Sequence, residues 1–489
     1  MLWIRRHRMK NEKVLYRALA GKFAEAIDQG LLPPGSRLPS VRTCSVQHGT
    51  ALNTVTAAYR LLEAMGLVEA RHKSGYFVRS RLPSLQRSLQ EKPVDFQKAE
   101  SADDLVSLML RHQGQEGVVD TALACPSGEA LYPGAKLSRL TCRLLRRRPY
   151  HTDRYALPPG SSLLREEIAR RGLRLGMELS ADNVIITHGA MEALQLSLRA
   201  VTRPGDTVGV ESPTFFNLYP LMQGLGLNIL EIPTHPEGGI SLDALESLLV
   251  QNRLAAIVAM PTVHNPLGFS MSVCAKRRLA QMVNSYQIPL IEDIIYAELQ
   301  YSEPLQPTVK AFDHGGWVIV CSSYTKTLAP DYRIGWLEAG RFHNALRRIK
   351  FASSVAESTL LSEAVGLFLA SGDYDVHLRS LRRRYALQTE AVRGAVARYF
   401  PKGTHATRPT GGFLLWVELP ETVDSHELFH KALKEKILIV PGQMYSNGSR
   451  FARCLRLSCC QPVDEHFLSG VKRLGTIASE LADAAKCYS

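Results

Sequence analysis

The sequence predicts two folds in one chain: a small, mostly α winged helix-turn-helix at the N-terminus, and a larger α/β unit on a mainly parallel central sheet with a smaller C-terminal α/β lobe. Three observations carry this expectation. Basic charge gathers at one end of the 489 residues: positions 1–80 hold 13 Lys+Arg against 5 Asp+Glu, or +8 of the chain's +13. Apolar residues there repeat at helical spacing between glycine and proline turns. Beyond Val118 short apolar strands alternate with helical segments, the pattern of a parallel sheet covered on both faces.

A hydrophobic content of 45% with 21% charged residues marks a folded globular chain, and its length suggests about two to four domains. Apolar runs stop well short of the ~20 residues of a spanning helix, and the basic opening Met1 to Lys10 leads into no signal-peptide core. The cytoplasm is the expected compartment and no membrane partner is expected. The nine cysteines, with the adjacent Cys459 and Cys460, lack zinc-site spacing and disulfide density, so they read as reduced thiols.

Leu15, Leu19, Phe23 and Ile27 recur every four residues and align on one helix face. Gly30 ends that helix, and Pro33-Pro34-Gly35 turns the chain. Ser40 suits the N-cap of a short second helix, which Gly49 breaks. Val55, Tyr59 and Leu62 mark the buried face of a third helix running to Gly66. Two helices joined by a tight glycine turn make a helix-turn-helix, and strands at 67–71 and 76–79 around His72-Lys73-Ser74-Gly75 add the wing. Concentrated positive charge on such a module points to a polyanion.

The segments Pro39-Ser40-Val41-Arg42, Asn53-Thr54-Val55, Ala58-Tyr59, Leu62 and Ser74-Gly75-Tyr76-Phe77-Val78 resemble the DNA-binding domain of the GntR family in order and spacing. The resemblance implies that residues 12–80 bind a double-stranded DNA operator. The third helix would lie in the major groove with Ala51, Leu52, Asn53, Thr54 and Thr56 at or beside the base edges. The wing tip, Lys73, Ser74 and Gly75, would reach a minor groove. Asn53 can pair bidentately with adenine. Arg42, Arg60, Arg71 and Lys73 would contact phosphates, which position the protein without reading sequence. Leu52 stands where relatives commonly carry arginine or another polar residue.

Over 81–117 periodicity fades apart from a helical stretch at 103–111, and polar residues make this a linker. In the remaining unit, 118–489, strands fall at 184–186, 208–210, 255–260, 289–291 and 318–320. Ligands gather at the carboxyl ends of such strands, and the informative motifs lie there. Thr187-His188-Gly189-Ala190 is a glycine turn opening a helix, whose free N–H groups and dipole suit a phosphate. Phe215 follows the second strand, where a ring can stack on a planar ligand; a core aromatic is the competing reading. Asn265 follows the third strand, and Asp293 and Tyr296 follow the fourth.

After the fifth strand comes Cys321-Ser-Ser-Tyr-Thr-Lys326, then Arg333-Ile-Gly-Trp336. A lysine whose pKa is lowered by burial and neighbouring charge attacks aldehydes, and pyridoxal phosphate (PLP) is the aldehyde most often held so. Lys326 would carry it as a Schiff base, with Ser323, Thr325 and the planar donors of Arg333 beside its phosphate. A surface lysine in a polar loop is the competing reading, and the surrounding motifs disfavour it.

These motifs together resemble the class I branch of the fold-type I aminotransferases across nearly all of residues 120–480. The resemblance implies that Lys326 forms the internal aldimine, Asp293 contacts the pyridine nitrogen, and Asn265 and Tyr296 contact the phenolic oxygen. It implies a stacking role for Phe215 and phosphate contacts from Gly189, Ala190, Ser323 and Arg333. Tyr155 would extend into the partner subunit's site, and Arg456 would grip a substrate or effector carboxylate. His188 sits where the family usually has a small residue. Joined to a GntR-type reader, the whole resembles the MocR subfamily of transcription regulators. That implies a homodimer in which PLP senses an amine, an amino acid or a B6-related effector. The alternative is a working aminotransferase with an accessory DNA-binding module, since the same residues are competent for transamination.

Overall fold

The computed structural model describes residues 15–27, 29, 31–33, 35–65, 67–71, 74–78, 102–126, 128, 131–147 and 155–487. The chain divides into two compact units, Met1–Asp95 and Phe96–Ser489.

In the first unit residues 15–27 are helical, followed by helices Val41–His48 and Leu52–Ala64 and an antiparallel hairpin of Val68–Arg71 with Gly75–Val78. Leu19 is buried and Phe23 and Ile27 pack beside it, whereas Leu15 at the start of the helix is exposed. Ser40 caps the second helix by accepting from Thr43 N–H at 3.1 Å. Gly49 ends it in the left-handed region at φ 59°, where a residue without Cβ is least strained. Val55, Tyr59 and Leu62 are fully buried, and the Tyr59 hydroxyl donates to the Pro39 carbonyl at 2.8 Å, tying the third helix to the entry of the second. The expected helix stops at Gly30 and Gly66 lie outside the described residues.

The second unit is built on an eight-stranded sheet in the order Val184–Thr187, Gly335–Glu338, Val318–Ser323, Leu290–Asp293, Ala256–Ala259, Thr207–Ser212, Asn228–His235 and Gly239–Ile240. Pairing is parallel from Val318–Ser323 across to Asn228–His235; Gly335–Glu338 runs antiparallel to both its neighbours, and Gly239–Ile240 antiparallel to Asn228–His235. Every residue of the five strands from Val184–Thr187 to Ala256–Ala259 is buried, as a mainly parallel sheet covered on both faces requires. Leu194 and Leu198 of helix Ala190–Val201 pack with Val208, Val258, Ile291 and Ile319 in one core cluster.

A second sheet, antiparallel, orders His405–Ala406, Leu414–Glu418, Cys454–Ser458 and Val440–Pro441. It forms the smaller lobe with the long helices Asp373–Tyr399 and Glu465–Cys487. Val119–Asp120 pairs in parallel with Ile437–Leu438, and the Thr121 carbonyl accepts from Ser458 N–H at 2.7 Å. That pairing carries the following residues, Ala122 to Cys125, along the small lobe. The helix expected at 103–111 is Ala102–His112; its Leu105, Leu108 and Met109 are buried, and it belongs to the second unit.

Candidate functional site

At the carboxyl ends of the parallel strands lies a cavity of about 180 Å³. Its walls include Ala190, Phe215, Asn265, Asp293, Tyr296, Ser323, Lys326 and Arg333, so these residues singled out in the sequence meet in one place. The sheet explains the convergence. Asp293 ends one strand and stands in register with Cys321 of the next, which continues through Ser323 to Lys326. Gly335 of the antiparallel strand pairs with Thr187, and a Cβ on Gly335 would lie 2.4 Å from the Gly189 carbonyl carbon. The phosphate-type turn and the segment behind Lys326 are therefore in backbone contact.

Lys326 donates from Nζ to the Ala124 carbonyl. Burial lowers its pKa, and the charges of Arg456 and Arg333 lower it further, whereas Cys125 and Cys460 oppose the shift. A less basic amine is the nucleophile that an aldehyde requires. Burial likewise pushes the Asp293 carboxyl up to about 7, with Glu211 and Glu292 adding to the rise and Lys326 opposing it; Oδ1 accepts from Ile295 N–H at 2.9 Å. Tyr296 is 2% exposed, its phenol held protonated by burial, with its ring edge-on to Phe413.

Gly189 has φ 83° and begins helix Ala190–Val201. A Cβ there would stand 2.7 Å from Arg333 Nη2, so the guanidinium lies directly on the turn; it also points at the His188 carbonyl at 3.5 Å. The Ser323 hydroxyl accepts from Thr325 N–H at 3.4 Å. Phe215 is half-buried against Phe216 at 5.4 Å and lines the cavity. Arg456 is 2% exposed, donating from Nη2 to the Ala122 carbonyl and lying 5.8 Å from the Tyr445 ring. Tyr155 is 78% exposed and is not among the residues lining the cavity of its own chain.

Sequence reasoning passed over Ala124, Asn217, Met260 and the buried pair Glu211 and His264. Glu211 Oε2 lies 3.3 Å from His264 Nε2 and accepts from Met260 N–H at 2.7 Å. Glu211 and His264 flank the motifs at Phe215 and Asn265, and their adjacency was the one available signal. Ala124 carried none, because its place depends on the pairing of Val119–Asp120 with the small lobe.

In the N-terminal unit, Arg42, Leu52 and Asn53 are exposed, as are Ser74 and Gly75 at the wing. Thr56 is half-buried and its hydroxyl donates to the Leu52 carbonyl at 2.9 Å. Thr54 corrects the expectation: it is 5% exposed on the side of Val55 and Ala58, so its side chain is not among those the helix presents. Arg71 is paired with Glu69 at 2.8 Å and lies over the Phe77 ring. Lys73 lies outside the described residues.

Comparison with known proteins agrees with both units. Residues 15–78 match the family described as bacterial regulatory proteins, gntR family, and residues 148–474 match aminotransferase class I and II. The uncharacterised HTH-type transcriptional regulator YjiR of Escherichia coli is 36% identical over 466 residues, which cover 94% of this chain and 98% of that one. The chain belongs to the gntR-type transcription regulators that carry an aminotransferase domain, the MocR architecture.

Solved structures similar to this regulator include the multiple substrate aminotransferase of Thermococcus profundus, at TM-score 0.72 and 26% identity over 79% of this chain and 97% of that one. Another is LysN, an α-aminoadipate aminotransferase of Thermus thermophilus complexed with N-(5'-phosphopyridoxyl)-L-leucine, at TM-score 0.71 and 28% identity over 78% of this chain and 95% of that one. PLP is accordingly the cofactor of the MocR-type chain. The cavity fits it: the Asn265 Oδ1 and Thr325 Oγ1 atoms are buried without a hydrogen-bond partner among the described residues, a cost that a polar ligand would relieve. No helix among the described residues is long and apolar enough to cross a membrane.

Proposed function

We propose that this DNA-binding transcription regulator senses a small amine, amino acid or B6-related compound at the PLP cavity and passes the signal to its N-terminal unit. The observation that carries the reading is the meeting of Lys326, Asp293, Asn265, Tyr296 and Arg333 around one cavity of a chain that also carries a basic winged helix-turn-helix. PLP supplies a reactive aldehyde and an electron-withdrawing ring. The residues do the rest. Lys326 would supply the amine that holds the aldehyde. Asp293 would pair with the pyridine nitrogen and hold a proton there, while Asn265 and Tyr296 would donate to the phenolic oxygen. Phe215 covers one ring face. Gly189, Ala190, Ser323 and Arg333 would hold the phosphate, and Arg456 would take a carboxylate of the effector in its planar fork.

Tyr155, so exposed on its own chain, suits a role in the site of a second copy, which supports reading the regulator as a homodimer. In each copy Asn53 would read a base, with Leu52 and Thr56 beside it, while Arg42 would hold the DNA backbone and the wing tip Lys73, Ser74 and Gly75 would reach a minor groove. An effector shifts DNA affinity only by favouring one arrangement of the protein through its own binding free energy. A DNA partner suits the bacterial cytoplasm as the compartment. A second reading, catalytic turnover of amino acids, is favoured by the presence of Lys326, Asp293, Asn265 and Arg456 together.

The test compares DNA binding by the holoprotein, the cofactor-free protein and Lys326→Ala, using DNA from upstream of the gene itself. The proposal expects specific binding whose affinity depends on the cofactor. Binding equal in all three forms, joined to sustained release of keto acid from amino acids, would favour the enzyme instead.

A further inference from the structure

Behind the turn at Gly189 lies a polar cluster with no part in the chemistry above. Glu192 accepts from His188 N–H at 2.6 Å through Oε2 and from the Ser354 hydroxyl at 2.6 Å through Oε1. Lys350, with no exposed surface, donates to Glu192 Oε2 at 2.8 Å and to Ser354 Oγ at 2.7 Å, and forms an ion pair with buried Glu357. His188 Nδ1 lies 3.4 Å from Glu192 and 3.9 Å from Glu357. His188, Glu192 and Glu357 have the composition of a metal cage. The Lys350 ammonium already pairs with both carboxylates, so the place of a cation is taken.

We propose that Glu192, fixed by Lys350 and Ser354, is a positioning residue for the phosphate of PLP. The inference rests on the reading that Gly189, Ala190 and Arg333 hold that phosphate. A carboxylate in the first turn of a helix that receives a phosphate dianion repels the ligand unless its charge is cancelled. Lys350 cancels it, and Glu192 is left to act as an acceptor for the His188 amide. That bond fixes the Thr187–His188 peptide at the entry to Gly189, whose φ of 83° starts a helix with its first N–H groups unpaired within the helix and free for the seat. The next peptide, His188–Gly189, turns its carbonyl toward Arg333 Nη2. Lys350 also holds Glu357, which bridges Ala156 beside Tyr155, so the phosphate turn and the Tyr155 segment hang on one ammonium. Keeping a lysine and two carboxylates out of water is costly, and a fixed phosphate seat is what the cost secures.

The test measures affinity for PLP and for pyridoxal, which lacks the phosphate, in the wild type, Glu192→Met, Glu192→Gln and Arg333→Met. In both Glu192 variants Lys350 keeps Glu357 as its partner, so no buried charge is orphaned. Glu192→Met should weaken PLP about tenfold, the worth of one charge-assisted hydrogen bond, and leave pyridoxal unchanged. Glu192→Gln keeps an acceptor for the His188 amide and should stay near the wild type. If Glu192→Met changes both ligands equally, or neither, while Arg333→Met weakens PLP alone, the role of Glu192 is overturned and the phosphate seat stands. If Arg333→Met also fails to distinguish the ligands, the seat falls and the inference with it. Should Glu192→Met not fold, Ser354→Ala removes a second donor to the same carboxylate and must weaken PLP alone; no shift there overturns the proposal.

Discussion

Asp293 stands opposite Cys321 in the parallel register of the central sheet, so its carboxylate and the Lys326 amine rise from neighbouring strands into one cavity. Their burial sets two opposed charges against water: the acid is pushed up to about 7 and the amine is pushed down. Bound PLP would relieve both, with Lys326 offering the amine that holds an aldehyde and Asp293 a carboxylate that would pair with a protonated ring nitrogen.

Without cofactor, folded Asp293 keeps its proton up to about pH 7, whereas the unfolded chain releases it near the ordinary 3.8. Between those values the folded state binds more protons, so this residue's contribution to stability falls as pH rises and levels off above about 7. Asp293→Asn should therefore flatten the slope and stabilise the cofactor-free protein at pH 8 by about 2–4 kcal/mol, while weakening PLP binding. Thermal unfolding across pH 4–9 checks this; an unchanged difference between variant and wild type across that range would contradict it.

Lys326→Ala should abolish the visible absorbance of lysine-bound cofactor and leave the far-ultraviolet circular dichroism intact. Its amine bonds one carbonyl, Ala124, so the fold loses little. A variant that kept the absorbance would remove Lys326 from its role.

Much of this was legible because the signals are local. The five central strands are short apolar runs bounded by turn residues, and the motif residues follow each run directly. Asn228–His235 was not legible: its burial pattern is mixed, and an edge-proximal strand shows no clean apolar run. Gly335–Glu338 was hidden inside the motif after Lys326. Thr54 was misplaced because it adjoins Asn53 in sequence yet turns inward, as neighbours on a helix do. The Glu192, Lys350 and Glu357 cluster joins side chains brought together by tertiary packing alone, which no spacing rule reveals.

On the DNA side, Asn53→Ala should relax sequence preference, costing about 1–3 kcal/mol at one operator position and little on unrelated DNA. Arg42→Ala should weaken binding to all sequences alike and reduce the salt slope by about one. Fluorescence anisotropy over a salt series separates the two. An unchanged slope for Arg42→Ala would mean that Arg42 touches no phosphate.

Arg456 is buried with its Nε unpaired among the described residues, a donor held ready in the interior. Arg456→Met should spare PLP binding yet abolish the response to amino acids, with the response to simple amines retained. Loss of both responses together would assign Arg456 to the cofactor rather than to a carboxylate.

The central claim is that one ligand event at Lys326 is felt at the DNA. The most direct measurement titrates amino acids, amines and B6 compounds singly into the holoprotein on its own upstream DNA, recording the cofactor spectrum and the DNA affinity in the same samples. The account predicts a ligand that changes the spectrum and the DNA affinity with one shared midpoint and without accumulation of keto acid. Spectral change with steady release of keto acid, at constant DNA affinity, would contradict it.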